Sequence, residues 1–254
     1  MILGHVTDGN EWQILPLVKP VELHSLNFGL FSIPVTRHVV MLLIVSLVLI
    51  TVMVLSFRKV RIVPSKMACC IEPVLFFVRD SLVYPSLGKE NGEKLLPFFY
   101  TLFFFLLTSN ILGMIPMFSS AMGNLSITLA LAIIVFMLVV YFGMKKHGFL
   151  GYFRSMIPSG IPKIFAGFFL ALELVSLFIR NGVLAIRLFA NMVAGHIIIF
   201  ALLIVMFIVG PMFCVVSVPL ALFVNLLEVL VAVIQAVVFT LLSAIFIGMS
   251  FSKH

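Results

Sequence analysis

Apolar residues run along this chain in blocks long enough to cross a bilayer, separated by short polar or basic breaks. A spanning helix needs about 20 mostly apolar residues. Val39 to Phe57 meets that need, with Arg37 and His38 before it and Arg58, Lys59, Arg61 and Lys66 after it. Residues 65–88 are also apolar but are interrupted by Glu72, Pro73, Arg79, Asp80 and Pro85. That stretch is too broken to span, and an amphipathic segment along the inner surface is expected. Gly88 to Lys94 reads as a polar loop, and spans follow at 95–117 and 125–143. The last third reads as a hairpin of residues 164–209 and 212–251, turning at Gly210-Pro211, where proline cannot continue the preceding ladder. At 1.5 Å per residue the first arm would reach about 70 Å, more than twice the hydrocarbon thickness, so the arms must tilt strongly or lie partly in the membrane plane.

The expected fold is therefore all-α: a polytopic membrane protein with about five membrane-embedded helices plus an inner-surface amphipathic helix, the last two helices forming a long, strongly tilted hairpin. Residues 1–38 are expected to be an outer-side leader and residues 39–254 the membrane domain. Composition agrees, since 63% of residues are apolar and 10% charged, and a mean hydropathy of +1.30 is foreign to a soluble domain of this size.

The net charge of +7 changes less than it first suggests. Its basic residues are spread over short loops and gather on no single polar face, so they read as topology signals and not as a nucleic-acid footprint. By the positive-inside rule the cluster after Phe57, the Lys145-Lys146-His147 run and the loop holding Arg154 and Lys163 face inward. This sets the N-terminus outside and the C-terminus, with Lys253, inside. Cys69, Cys70 and Cys214 have no metal-ligand spacing and form no disulfide framework. No cofactor and no metal are expected, and no G-x-x-x-x-G-K-[ST] phosphate loop occurs.

Four ionisable acid or guanidinium groups fall inside the hairpin arms: Glu173, Arg180, Arg187 and Glu228. Glu173, Arg180 and Arg187 are seven residues apart and Asn191 follows four later, so a 3.6-residue period puts them near one helix face. Nine positions beyond Arg187, His196 falls near the opposite face. On the returning arm Glu228 and Gln235 share a face. Antiparallel arms bring residues equidistant from Pro211 to equal depth, which sets Arg187 level with Gln235 and His196 close to Glu228. A guanidinium cannot neutralise itself in hydrocarbon, so Arg187 requires a partner or water. The structural alternatives are an Arg187 that snorkels to an interface or is fixed in a static pair with Glu228. For Glu173 and Arg180 an interfacial role stands beside a functional one. Asn110, Gly113 and Pro116 read as helix packing and a helix end.

The segment Arg187-Leu-Phe-Ala-Asn191-Met-Val-Ala-Gly195-His196, with Glu228 and Gln235 on the last helix, resembles the signature of F-type ATP synthase subunit a. Asn110-Ile-Leu-Gly113-Met-Ile-Pro116 is similar to that family's earlier N-x-x-G-x-x-P segment. Some bacterial members carry an acid where this chain has His196 and a histidine where it has Glu228, an exchange that keeps a carboxylate and an imidazole together.

The resemblance implies a proton-translocating stator subunit of an H+-transporting two-sector ATPase, with no nucleotide or hydrolytic site of its own. It implies two half-channels against a rotating c-ring. Arg187 would be the gate that separates them and drives deprotonation of the ring carboxylate. His196 and Glu228 would relay protons in the outer half-channel, Asn191 and Gln235 would position Arg187, and Glu173 is a candidate for the inner half-channel. The partners implied are the c-subunit ring, peripheral-stalk b subunits, other ATP synthase subunits and the lipid bilayer, with no nucleic acid. The membrane is expected to be an energy-coupling one, the bacterial plasma membrane in preference to the mitochondrial inner membrane. The alternatives are a secondary transporter or ion channel with an intramembrane Arg site, and an assembly protein. The first lacks a second copy of the R-x-x-x-N segment, and the second leaves the matched polar pairs unexplained.

Overall fold

The computed structural model describes residues 11–12, 21–22, 26–28, 31–33, 36–58, 66–115, 120–149, 151–152, 163–210 and 214–251. Among these, five helices are long and apolar enough to cross a membrane, and the protein is a multi-pass membrane protein. Pro116, Pro211, most of the leader and the basic loop from Arg154 to Pro162 lie outside the described residues. The membrane domain is all-α as expected, and the leader holds two small antiparallel ribbons. β1 (Glu11–Trp12) pairs with β2 (Val21–Glu22), and β3 (Leu26–Phe28) pairs with β4 (Phe31–Ile33).

Helix α1 covers Arg37–Phe57, 21 residues or about 31 Å, close to the hydrocarbon thickness. Its hydroxyls do not go unsatisfied in that setting. Ser46, Thr51 and Ser56 each donate to the carbonyl one turn back, at 2.8, 2.7 and 2.7 Å.

Helix α2 (Lys66–Phe77) continues through a π-helical turn at Val78–Val83 into α3 (Tyr84–Gly113). Gly88, at φ 75° and ψ 168°, breaks this run and separates the interrupted stretch from the span. In the π-helical turn Arg79 is held by two hydrogen bonds to Asp80, at 2.8 and 3.0 Å, and its guanidinium lies 4.7 Å from the Phe76 ring centroid.

The reading of Gly88 to Lys94 as a loop is corrected: beyond Gly88 these residues are helical. Lys and Glu are good helix formers, and Lys94 reaches Glu90 one turn back at 3.3 Å, which outweighs the turn preference of Asn91 and Gly92. The span set at 95–117 thus lies in a helix that starts earlier and ends at Gly113. After a 3₁₀ turn at Ala121–Gly123, α4 covers Leu125–His147. It takes in Lys145, Lys146 and His147, cations that suit the negative end of a helix. Helices α5 (Lys163–Val209, 47 residues) and α6 (Cys214–Phe251, 38 residues) are the long arms expected, and Gly210 at their junction has φ 99°.

The chain divides into two compact units. One comprises Met1–Ser65, Phe104–Ile127 and Leu188–Ala236; the other comprises Lys66–Phe103, Thr128–Arg187 and Val237–His254. In the second, the end of α6 is tied down. Phe142 stacks on Phe251 at 5.2 Å, Lys146 Nζ donates to the Phe251 carbonyl, and Gly248 lies against the Ser86 backbone so closely that a Cβ would strike its carbonyl oxygen. In the first, Gly113 at the end of α3 packs where a Cβ would come 2.7 Å from both Met192 Cε and Ser120 Oγ. Glycine is required there for close helix packing.

Candidate functional site

In the unit containing residues 128–187, α5 carries Glu173, Arg180 and Arg187 at two-turn intervals. Arg180 Nη2 donates to Glu173 Oε1 at 3.4 Å, a partly exposed pair on one face, and this gives Arg180 a partner that spacing alone left open. Arg187 is exposed. Around it Val175, Ile179, Val183 and Ile186 are 55, 58, 44 and 55% exposed, while Leu184 and Ala185 on the other side are buried. The guanidinium therefore projects from an apolar stripe on the outside of the chain. Among the described residues it makes no ion pair or hydrogen bond. A charge that cannot be shed, set in an apolar surface, calls for an anion or water beyond the partners that the described residues supply.

In the other unit, the later part of α5 meets α6. Glu228 is 6% exposed, and its carboxylate lies over Gly195, where a Cβ would stand 2.5 Å from Cδ and 3.0 Å from Oε2. Gly195 and Glu228 are nearly equidistant from the Gly210 junction, as antiparallel arms require. The bare glycine lets the carboxylate approach the α5 backbone. His196, next to Gly195, is half-buried. Neither oxygen of Glu228 has a hydrogen-bond partner among the described residues, so no direct hydrogen bond links it to His196.

Gln235, two turns beyond Glu228, is buried, and Asn191 is half-buried; the amide nitrogen of each is enclosed without a partner among the described residues. Ala232 and Ala236 share the buried face of α6, and their small size allows close helix approach.

Residues outside the predicted set join this unit. Asn110, fully buried on α3, donates from Nδ2 to the Ala232 carbonyl at 3.4 Å, so it does bind a neighbouring helix. His38, which reads from the sequence as a flanking topology residue, is 2% exposed with Nδ1 2.9 Å from the Ser120 carbonyl. The only sequence signal for that contact is a basic pair at a helix start, which gives no hint of a cover from 82 residues away. Among the described residues no group of three or more His, Cys, Asp or Glu is arranged to hold a metal ion.

A family model described as ATP synthase A chain matches residues 39–248. The chain is 39% identical over 233 residues to ATP synthase subunit a of Myxococcus xanthus (strain DK1622), covering 90% of this chain and 77% of that protein. It is 38% identical over 274 aligned positions to ATP synthase subunit a of Anaeromyxobacter dehalogenans (strain 2CP-C), covering 100% and 71%. It is 38% identical over 254 positions to ATP synthase subunit a of Chloroherpeton thalassium (strain ATCC 35110 / GB-78), covering 98% and 75%.

Proposed function

This chain belongs to the ATP synthase A chain family, a non-catalytic component of the proton-translocating membrane sector, and from that premise we propose that Arg187 is the gate between two half-channels facing a rotating c-ring. One observation carries the reading: Arg187 stands on an exposed apolar stripe of α5 with no counter-charge among the described residues. A ring helix bearing a membrane carboxylate would cover that stripe and supply the anion. The fixed positive charge lowers the acid's pKa, so the proton leaves as each ring site passes. Because a guanidinium does not deprotonate, it also blocks direct hopping from one half-channel to the other.

His196 and Glu228, nearer the junction of the arms, relay protons on the outer side, with water between them where no direct hydrogen bond exists. Asn191 and Gln235, whose amides have unused hydrogen-bonding capacity, position the guanidinium. Glu173, held by Arg180, lies toward the inner end and serves the exit side. Peripheral-stalk b subunits join the c-ring as partners. The N-terminus is outside and the C-terminus inside, in a bacterial plasma membrane, which agrees with the basic inner loops.

The experiment is Arg187→Ala in the assembled complex. ATP-driven proton pumping, read by a pH-gradient dye in inverted vesicles, should vanish while ring and stator still co-purify. Retained pumping would overturn the gate.

A further inference from the structure

We propose that Cys69 and Cys70, adjacent on α2, form a dithiolate site for a soft monovalent metal ion, copper(I). Neither thiol is part of the proposed proton path.

Unbridged cysteines are among the most buried residue types. Both of these are exposed, and neither forms a disulfide. They lie within α2 about 100° apart around the helix, so one χ1 rotation each turns the two sulfurs toward a shared point above the surface. Oxidation does not readily close this pair. Neighbouring Cα atoms stand about 3.8 Å apart, short of the about 4.4 Å at which unstrained disulfides begin, so a bridge would distort the helix. Two thiols that cannot join without bending the backbone remain available as a chelate.

The surroundings suit a soft ion. Lys66 is exposed one turn before both cysteines, and its ammonium offsets the negative charge of a metal dithiolate. Met67, 60% exposed and one turn before Cys70, adds a thioether at the edge of the pair. Among the described residues no third Cys, His, Asp or Glu completes a metal-binding group, and the neighbouring sequence from Arg58 to Ser65 contains none of these. Zinc, which takes four ligands in a closed site, is left short. Thiolates select copper(I), and that ion accepts two of them in a near-linear arrangement, the one case that needs no longer ligand spacing. On binding, the ion displaces the proton of each thiol, forming two Cu–S bonds and releasing two H+ with no change of oxidation state.

The test uses the assembled complex, anaerobic and reduced, with copper(I) as the probe and bathocuproine disulfonate as the competing chelator. The parent should retain one more copper(I) per complex than Cys69→Ser or Cys70→Ser. Each variant should weaken that site about 100-fold, because a lone thiol loses the chelate. Retention should strengthen from pH 6 to pH 8, since two protons leave, and Cys214→Ser should match the parent. Equal retention by the parent and both serine variants, a site lost only in Cys214→Ser, a site kept by either single variant, or a flat pH profile would overturn the proposal. A measurement on the parent alone guards against variants that do not assemble. Copper(I) should protect both thiols of the α2 peptide from a maleimide, read by mass spectrometry, and labelling unaffected by copper(I) would overturn the site.

Discussion

Gly195→Ala puts the proposed relay geometry to a direct test. The new Cβ would stand 2.5 Å from Glu228 Cδ, where ordinary contact begins at about 3.4 Å, so the carboxyl carbon must retreat by close to 1 Å. The carboxylate is the far end of a flexible side chain and can retreat, which makes the steric cost modest. Alanine in a helix interior also contributes about 1 kcal/mol of stability over glycine. The subunit should therefore still fold and assemble. Proton transfer is less forgiving, because misplacement by about 1 Å can cost about 100-fold in rate. ATP-driven pumping in inverted vesicles is expected to fall 10- to 100-fold at unchanged complex yield. Gly167→Ala is the control, since no atom lies within 4 Å of its added Cβ and it is remote from the relay. Pumping by Gly195→Ala within twofold of the parent would refute the claim that the seating of Glu228 over Gly195 matters.

Glu228→Gln removes the titratable group but keeps its shape, so pumping should drop by more than tenfold. Thermal stability of the detergent-solubilised complex should hold or rise, because a buried unpaired carboxyl is costly. A loss of stability in step with activity would argue for a structural acid instead. Gly248→Ala drives a Cβ into the Ser86 backbone, which cannot rotate away, and should cost about 1–3 kcal/mol, read as a lower melting temperature or reduced assembly. Glu173→Gln should change stability by no more than about 1 kcal/mol, because its pair with Arg180 is about one-third exposed. Any larger change would mean that the pair is screened from water in the complex.

The spans were legible in the sequence because helices surrounded by lipid need apolar blocks of fixed length, and α1, α4, α5 and α6 begin or end within a few residues of those blocks. The hairpin was legible to the level of depth. Counting outward from Pro211 placed Glu228 close in depth to His196, and the carboxylate lies over the neighbouring Gly195. Lys89 to Lys94 was misread because Gly88, Asn91 and Gly92 signal a turn as strongly as the Lys and Glu residues signal a helix, and only the conformation of Gly88 shows where the break falls. His38 was illegible for a different reason. Its burial is made by a 3₁₀ turn far along the chain, and no local periodicity encodes a contact at that range.

The outward cation on α5 bears on the order in which the membrane sector is built. Held against lipid alone, Arg187 costs about 2.5–3.5 kcal/mol on insertion scales, a penalty relieved when an anion or water reaches it. A copy with that stripe uncovered carries the penalty in full. On the proposed gate reading, construction that brings the rotor late leaves each copy with that penalty, so the charge assigned to proton traffic would also disfavour a stator subunit without its ring.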